Sequence, residues 1–476
     1  MAGIVALTIA AVVQLVRHVP TVQTLPMWFW NLHDKATSWF WFALLALGLA
    51  ATLAQATRSP ARRASRVVLP IFLLGVLLQL GMGWSEGRGV RGLRDRYLHS
   101  GHTQFAHVAT FEPDLFGVLR HYEAFTKAHD LVFLRSKPPG TLLAYVVVDR
   151  LSRVVPASMT SQDPEPDVPE KLLRAANLAS LVFPLVSLAL LFPLFAISRR
   201  LMPKEIAWWP LLLLVLAPPL ELITLHIDQV LCPLLEVGLG MAVVAGLDTR
   251  SERERILWAG AAGALAWLSL FVSFDLIPGV ALVAGFGALD VALGKNGSAR
   301  EKALRVARMA GVALGVFLVL TLLAHLLIGY SATVRFRDAM GNHERFKQWS
   351  SATNVVLESA LLDIVEFSYI LGVPIMGAFL WQTAGAVERT IRRTESSLDR
   401  FTLATAVILT LLPFTSKTQA ETARLWLFLV PCVALGAAAA IQHAFPRPRQ
   451  GFIALSCCAA LQLVWMMTVK RYCDFY

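Results

Sequence analysis

Charged side chains are scarce in this 476-residue chain. Asp, Glu, Lys and Arg make up 16% of it, whereas a soluble domain averages about 25%. Hydrophobic residues make up 56%, and the mean hydropathy is +0.59. This composition excludes an ordinary soluble domain and predicts an all-α polytopic membrane protein. The net charge of +11 is then attributed to loops at the membrane surface and not to nucleic-acid binding.

The chain also lacks informative cysteines, internal repeats and a cleavable signal peptide. Its five cysteines show no CxxC or metal-ligand spacing, and four of them fall in apolar segments, which is typical of buried small hydrophobes. Residues 1–16 have no basic region ahead of the apolar stretch, so we interpret them as a short first span.

Apolar runs of membrane-spanning length recur along the chain. They predict about thirteen transmembrane helices, near 1–16, 36–54, 67–84, 172–197, 207–226, 229–247, 256–275, 276–294, 309–330, 361–381, 401–415, 425–442 and 451–468. We divide the chain into an N-terminal transmembrane hairpin at 1–66 and a transmembrane core at 67–476. Prolines inside several spans predict kinks, which membrane helices tolerate.

Basic residues concentrate in every second connection. The short connections at 55–66, 198–206, 248–255, 295–308, 382–400 and 443–450 hold 21 of the 43 Lys and Arg residues. The positive-inside rule then places these connections and the N-terminus in the cytoplasm. The polar loops 85–171, 331–360 and 416–424 fall together on the extracytoplasmic face.

The first of these loops, 85–171, is the longest polar segment and carries most of the candidate chemistry. Its stretch GTLLAYVVVDRLSRVV, about 140–155, is too short and too charged to span a bilayer. An amphipathic helix lying on the outer membrane surface fits it better.

Two acids and a histidine of this loop are candidates for catalysis. Asp95 lies between Arg94 and Arg96 about ten residues after the third span, where neighbouring cations favour an ionised carboxylate that could serve as a base. A solvated salt bridge is the alternative. Asp114 and His102 are further candidates. His99 and His102 also raise the alternative of a divalent metal, although i, i+3 histidines are no metal signature.

Cations near the predicted membrane boundary are candidates for phosphate binding. Arg135 and Lys137 precede a Pro-Pro turn at the start of the interfacial helix, and ordinary headgroup anchoring is their alternative role. Asp228 lies where two predicted spans meet on the outer face. A carboxylate at that depth is costly, so it is expected either to be paired or to have a functional role. Asp275, at another outer turn, raises the same question, with simple solvation as its alternative.

The two later outer loops add four more candidate substrate-binding residues. Arg335 and His343 lie in a basic segment interleaved with aromatic residues, which suits either the membrane interface or a lipid phosphate and sugar ring. Glu421 and Arg424 are i, i+3 at the outer start of a span, so they share a helix face and could pair. Trp426 is predicted to anchor the interface.

Together these segments resemble the GT-C superfamily of integral-membrane glycosyltransferases over roughly residues 67–442. The family's long first outer loop often ends in HPP before an interfacial helix, and KPPG at 137–140 looks like that motif. KLLRAANLAS at 171–180 and ISRR at 197–200 are similar to the start and end of the family's next span. Asp228 looks like the acid that often begins a later span, and AETARLWLFLVP at 420–431 resembles a GE-x-x-R-x-W-L-F segment of a bacterial branch.

The resemblance implies transfer of a sugar from a polyprenyl-phosphate-linked donor to a glycan, lipid or protein acceptor. Asp95 or Asp114 would be the base, and Arg135, Lys137 and Arg424 would hold the phosphate. Asp228 would orient the acceptor or a cation. It implies an integral protein of the bacterial inner membrane with its active site outside and no required cofactor, while a divalent metal stays an alternative.

One departure from the family pattern keeps other functions open. Many relatives carry an acidic pair early in the first loop, where this chain has Ser100-Gly101-His102. His102 could take over part of that role. The alternatives are a flippase or transporter of lipid-linked sugars, a glycan ligase or polymerase that uses lipid-diphosphate donors, and an inactive relative.

Overall fold

A computed structural model describes residues 2–19, 32, 34–58, 65–156, 167–222, 225–295, 297–347, 353–415 and 422–473. These residues are mostly helical, and no β-strand occurs among them. The all-α class predicted from composition is therefore confirmed.

The first eleven helices contain the predicted N-terminal hairpin and the long first loop. They are α1 (Ala2–Val16), α2 (Trp39–Arg58), α3 (Ser65–Ser85), α4 (Gly89–His99), α5 (Thr103–Phe111), α6 (Leu115–Arg120), α7 (Tyr122–Ala128), α8 (Val132–Ser136), α9 (Pro139–Val154), α10 (Glu170–Leu188) and α11 (Leu191–Leu201). The loop is thus a series of short helices, and α9 covers the segment predicted as an amphipathic helix.

The remaining helices include the other apolar segments. They are α12 (Trp209–Val215), α13 (Pro218–Leu222), α14 (Ile227–Val230), α15 (Cys232–Asp248), α16 (Glu252–Val272), α17 (Ile277–Leu293), α18 (Ala299–Ile328), α19 (Ala332–Lys347), α20 (Thr353–Leu371), α21 (Val373–Ile391), α22 (Ser397–Leu411), α23 (Thr422–Leu425), α24 (Val430–Ala444) and α25 (Pro448–Tyr472).

Nine helical segments of the described chain are long and apolar enough to cross a membrane, or ten if one bent pair counts as a span. The predicted spans at 1–16 and 229–247 are present as shorter helices, of 15 and 17 residues. The span predicted at 207–226 is divided into α12 and α13. The count of thirteen therefore stays a prediction, while an integral membrane protein is what the apolar helices indicate.

The span predicted at 361–381 differs from the structure. The helix breaks at Gly372, and α20 and α21 meet there at a bend of 117°. Gly372 has φ +102°, which a residue with a side chain rarely adopts, and Pro374 starts the next helix. The apolar run continues across the break, so hydropathy alone could not place it.

The helices pack against one another and leave an apolar face of α18 exposed. Helix α16 packs between α15 and α18, and α24 packs against α12 and α21. Leu314, Leu318, Leu322 and Leu326 follow one outward face of α18 and are 56–70% exposed. A stripe of that kind suits contact with lipid. At the opposite side of the bundle, α1 packs against α21 and α25.

Candidate functional site

His102 lies at the start of α5 and is held from both sides of its ring. Nη1 of Arg424 donates a hydrogen bond to its Nε2 at 3.1 Å, and its Nδ1 is 3.3 Å from the hydroxyl of Tyr145 on α9. Since a guanidinium can only donate, the neutral ring must carry its proton on Nδ1. The ring of His226 meets that of His102 edge-on, with 4.5 Å between centroids.

The surroundings of His102 keep it neutral. The side chain is buried, with 2% of its surface exposed. Burial, together with the positive charges of Arg424 and Lys137, lowers the pKa of His102 well below its ordinary value. The neutral ring has one donor and one acceptor nitrogen, and the acceptor orients the Arg424 guanidinium.

Lys137 forms a second charged group with the turn after α16. Its Nζ donates to Oγ of Ser273 at 3.1 Å and is paired with the carboxylate of Asp275. The Ser273 hydroxyl donates to Asp275 Oδ2 at 2.7 Å. Lys137 is buried and the Asp275 side chain is 29% exposed. The carboxylate is therefore fixed by two donors and still reaches solvent.

The sequence Lys137-Pro138-Pro139-Gly140 accounts for this placement. Pro138 is extended and Pro139 occupies the first turn of α9, where a missing N–H costs little. At Gly140 a Cβ atom would lie 2.4 Å from the carbonyl oxygen of Phe271, so glycine is needed for the close approach of α9 to α16. Thr141 completes the contact by donating to the Val272 carbonyl at 2.7 Å.

A small cavity joins the two groups. Its volume is about 30 Å³, which is room for about two water molecules. It is lined by His102, Phe105, Val132, Phe133, Ser136, Lys137, Asp275, His343, Arg424 and Leu425. Four predicted site residues from three separate loops therefore line one space: His102, Lys137, His343 and Arg424.

Arg135 and Arg335 belong to a neighbouring ion-pair cluster and do not line this cavity. Both pair with Asp338 on α19, at 3.3 and 3.2 Å, and Lys127 pairs with the same carboxylate at 3.1 Å. Arg335, fully buried, also donates to the carbonyl of Arg135. These contacts attach α19 to α8 and form one wall beside the cavity.

The two predicted acids of the first loop lie elsewhere. Asp95 forms an ion pair with the exposed Arg88. Asp114 is the N-cap of α6 and accepts a hydrogen bond from the Gly117 backbone N–H at 2.8 Å. Capping is a common role for Asp at this position.

Two predicted substrate-binding residues cannot be placed. Glu421 and the side chain of Asp228 lie outside the described part of the chain. The backbone of Asp228 lies in α14, whose N-cap is His226. The His226 ring contacts that of His102, so α14 begins beside the cavity residue His102.

The structure also gives defined positions to residues that sequence reasoning weighted little or missed. Asp275 is one of them. The sequence feature that could have indicated it is the Ser273-Phe274-Asp275 motif at the turn between two apolar runs. Tyr145 was missed because it looks like an ordinary apolar position of α9. Trp426 is fully buried, with its ring 5.3 Å from that of Phe367, and is not the exposed interface anchor expected from the sequence.

Arg424 is positioned by the short helix α23, which is held in place by a hydrogen bond to α20. In α23, the Thr422 hydroxyl donates to Asp363 Oδ1 of α20 at 2.8 Å. Within the described ranges, no three His, Cys, Asp or Glu side chains gather as a metal-binding group. Among the described residues that line the cavity, Lys137 and Arg424 are cations, Asp275 is the carboxylate and His102 is neutral.

Comparison with known proteins adds no relative to this description. No protein-family model matches the chain, and no curated protein matches it.

Proposed function

We propose that this protein is an integral-membrane glycosyltransferase that moves a sugar from a polyprenyl-phosphate-linked donor to an acceptor hydroxyl. The observation that carries the proposal is the convergence of Arg424, Lys137, Asp275 and His102 on one cavity at the end of an apolar helical bundle. A reaction whose leaving group is a lipid phosphate needs cations and a base at that depth.

The cations would hold the phosphate. Arg424 can offer its planar fork to two phosphate oxygens, and Lys137 adds a point charge from the other side of the cavity. The cavity is too small for a sugar ring, so the ring would lie at its mouth beside the partly exposed carboxylate of Asp275, with the phosphate directed toward Arg424 and Lys137. Arg424 now donates to Nε2 of His102. When a phosphate binds, one of its oxygens would take the place of that nitrogen as the acceptor.

Asp275 is the carboxylate that we propose as the base. It accepts hydrogen bonds from Lys137 and Ser273, and a carboxylate has about four lone-pair sites, so an acceptor hydroxyl can bind as well. In the proposed step the acceptor oxygen attacks the anomeric carbon as its proton passes to Asp275. The bond from the anomeric carbon to the phosphate oxygen breaks, and the phosphate leaves with the electron pair.

A large apolar groove beside the cavity supports a lipid-linked donor. Its volume is about 690 Å³, and it lies between α16, α18 and α19. Phe271, Phe274, Phe317, Tyr330 and Phe336 are among its lining residues. Phe274 adjoins Asp275 in the chain, so a polyprenyl chain in this groove would bring its phosphate toward the base.

The membrane arrangement completes the proposal. We place the N-terminus and the basic connections in the cytoplasm and the cavity at the extracytoplasmic face, in the inner membrane of a bacterium. The exposed Val147, Leu151 and Val154 of α9 would lie in the outer interfacial layer, and the shorter apolar helices would complete about thirteen crossings.

The test is a turnover assay on the purified chain in lipid. A panel of labelled polyprenyl-monophosphate and polyprenyl-diphosphate sugars is offered, and release of the lipid phosphate is measured. We expect release from a monophosphate donor, and a loss of about 100-fold or more in Asp275→Asn. Asp95→Asn removes an ion pair with an exposed arginine, and Asp114→Asn keeps a capping side chain, so both variants should stay within about threefold of wild type.

Other results would change the assignment. Loss of turnover in Asp95→Asn or Asp114→Asn, but not in Asp275→Asn, would return the base to the first loop. Turnover of diphosphate donors alone would make the protein a glycan ligase or polymerase. A folded protein that turns over no donor would overturn the proposal.

A transporter of lipid-linked sugars is a second candidate, favoured by broken helices and buried acids. Helices α13 and α20, each next to a break, pack against each other. Glu221 and Glu236 are almost completely buried. Within the described part of the chain, neither carboxylate oxygen of Glu221 has a hydrogen-bond partner. Ionisable groups in such positions are common on transport pathways.

A measurement of lipid movement between the two leaflets would distinguish a transporter from a transferase. Proteoliposomes containing a fluorescent lipid-linked sugar report movement between leaflets. A transporter should lose this movement in Glu236→Gln and retain it in Asp275→Asn, whereas a transferase should show no protein-dependent movement in either case.

A further inference from the structure

A second cavity lies at the other end of the helical bundle, and seven of its sixteen lining residues are basic. Its volume is about 500 Å³. The charged residues that line it are Arg200, Asp248, Arg250, Arg255, Asp290, Lys295, Lys302, Arg305 and Arg400. Seven cations therefore face two carboxylates, an excess of five positive charges around one enclosed space.

This cavity is distinct from the one that contains His102. It is built from the ends of α11, α15 and α17 and the beginnings of α16, α18 and α22. The opposite end of α16 carries Val272, which contacts α9 beside Lys137. Helix α16 has 21 residues, so the two cavities are about 30 Å apart, the thickness of a bilayer core.

Internal ion pairs neutralise only part of the charge. Arg200 pairs with Asp248 and Arg400 with Asp290, both at 2.9 Å. Arg255 pairs with Glu252, which does not line the cavity. Lys302 donates to the carbonyl of Gly294, which carries no net charge. Arg400 is also 3.9 Å from Glu395, which does not line the cavity. Asp248 and Asp290 are the two acids of the lining and both pair with arginine, so Arg250, Lys295, Lys302 and Arg305 contribute positive charge that the lining itself does not neutralise.

Two of the cations are buried, which sets this group apart from ordinary surface residues. Arg400 and Lys302 are 6% and 7% exposed. Among the described residues, Nε of Arg400 and Nε of Arg255 have no hydrogen-bond partner. A buried guanidinium N–H without an acceptor is costly, and an anion in the cavity would remove that cost.

Three helix beginnings add to the positive potential. Helices α16, α18 and α22 start at the cavity, each N-capped by a serine, namely Ser251, Ser298 and Ser396. The amino end of a helix carries a partial positive charge that favours anions. The positive-inside rule explains basic loops on this side of the membrane, but it does not require cations to converge on one cavity and to be buried there.

We propose that this cavity is a binding site for an anion that carries two phosphate groups. An excess of five positive charges suits a multiply charged phosphate better than a single carboxylate, and the guanidinium groups match phosphate geometry. The group could belong to the headgroup of a lipid with two phosphates, since basic pockets between membrane helices bind such headgroups. It could also belong to a soluble diphosphate. The site is independent of the proposed transferase activity.

The experiment measures both sources on the purified full chain. In nanodiscs of neutral phosphatidylcholine, calorimetry with inorganic diphosphate reports binding of the soluble group. Native mass spectrometry after titration with diphosphatidylglycerol reports retention of the lipid. We expect saturable binding of at least one probe, weakening as salt rises because the contacts are electrostatic.

The variants are chosen to leave the fold intact. The double variant Lys295→Gln/Arg305→Gln removes two lining cations that make no ion pair across the cavity. We expect about tenfold weaker binding or more. The matched control is Arg308→Gln, one turn further along α18, which is 70% exposed in its side chain and does not line the cavity. The control should bind within about twofold of wild type. Thermal midpoints verify that both variants are folded.

The outcomes separate clearly. Binding of diphosphatidylglycerol alone identifies a lipid site, and binding of inorganic diphosphate identifies a site that recognises the phosphates themselves. If neither probe binds wild type, or if the control loses as much affinity as the double variant, the proposal is overturned.

Discussion

Arg424 donates a 3.1 Å hydrogen bond to Nε2 of His102, across 322 residues of sequence. The contact connects the start of the first-loop helix α5 to the short helix α23. It also fixes the histidine tautomer, because arginine has no acceptor to offer. Arg424 and His102 therefore hold two separate loops together at the cavity.

Replacing Arg424 by Lys tests the role of that guanidinium. Lysine keeps the charge but loses the planar fork, so we expect kcat/KM for the lipid-phosphate donor to fall about 10- to 100-fold, mainly through KM. Steady-state turnover with the donor varied measures this split. Arg345→Lys, at an exposed position of α19, is the control and should be unchanged. An unaltered KM in Arg424→Lys would contradict phosphate binding by this residue.

The lowered pKa of His102 predicts acid sensitivity. The native ring stays neutral, whereas in the unfolded chain histidine takes up a proton near pH 6.5. The unfolded state then binds more protons, so the free energy of unfolding falls as pH drops below about 6.5, by about 1.4 kcal/mol per pH unit at most. In His102→Gln the decline between pH 7 and 5 should be shallower.

Thermal midpoints across this pH range provide the measurement for His102. His107→Gln, at an exposed site on α5, should keep the wild-type dependence. Parallel curves for wild type and His102→Gln would show that this histidine does not produce the acid sensitivity.

Asp338 should contribute to stability through the helix contact that it supports. Burial raises its pKa, but the pairing with Arg135 and Lys127 and the charge of Arg335 outweigh burial, so the net pKa is lowered. Asp338→Asn leaves the buried Arg335 without that charge and should lower the free energy of unfolding by about 2 kcal/mol. The difference should persist above about pH 4 and shrink as pH falls through the native pKa.

Equilibrium unfolding in detergent measures the effect of Asp338→Asn. Asp130→Asn is the matched control, because Asp130 is exposed and its positive φ is compatible with Asn. It should stay within about 0.5 kcal/mol of wild type. Equal losses in the two variants would remove the special role of Asp338.

Gly372→Ala should destabilise the break between α20 and α21. The residue has φ +102°, and a Cβ would lie 2.5 Å from the side-chain amide of Gln462, which donates to the Leu371 carbonyl. We expect a cost of about 1–3 kcal/mol and a lower thermal midpoint. Gly315→Ala, in α18 with no heavy atom within 4 Å of the added Cβ, should be neutral or slightly stabilising. A stable Gly372→Ala protein would show that the bend does not depend on glycine.

Hydropathy predicts the long helices because a segment needs only sufficient length and apolarity to be stable as a helix across a bilayer. Helices α2, α3 and α16 cover the runs predicted at 36–54, 67–84 and 256–275. Within the run at 361–381 the sequence carried only the expectation of a kink at Pro374, and the full break at Gly372 was not predicted because the residues on both sides are equally apolar. The shorter helices α12 and α13 divide one apolar run at Pro218, where the sequence carried only the expectation of a kink.

For the candidate site, the sequence predicted that the three polar loops lie near one another better than it predicted the individual contacts. Lys137, His343 and Arg424 come from loops that were predicted to share one face, and they line one cavity. Asp95 and Asp114 satisfied the same rule but lie in an exposed ion pair and a helix cap. Which side of a short helix faces a cavity depends on tertiary packing, and spacing within a loop does not contain that information.

The pairing of α1 with α25 has a consequence for biosynthesis. Arg471, near the end of α25, contacts Asp34 at a separation of 437 residues, and α1 itself packs on α25. At about 5–20 residues per second, the ribosome delivers α25 tens of seconds after α1 has left the tunnel. During that interval the first helix has lipid or an insertion factor as its neighbour where its native partner will later pack. The contact between α1 and α25 therefore cannot form until α25 has been synthesised, and its efficiency depends on what is bound to α1 until then.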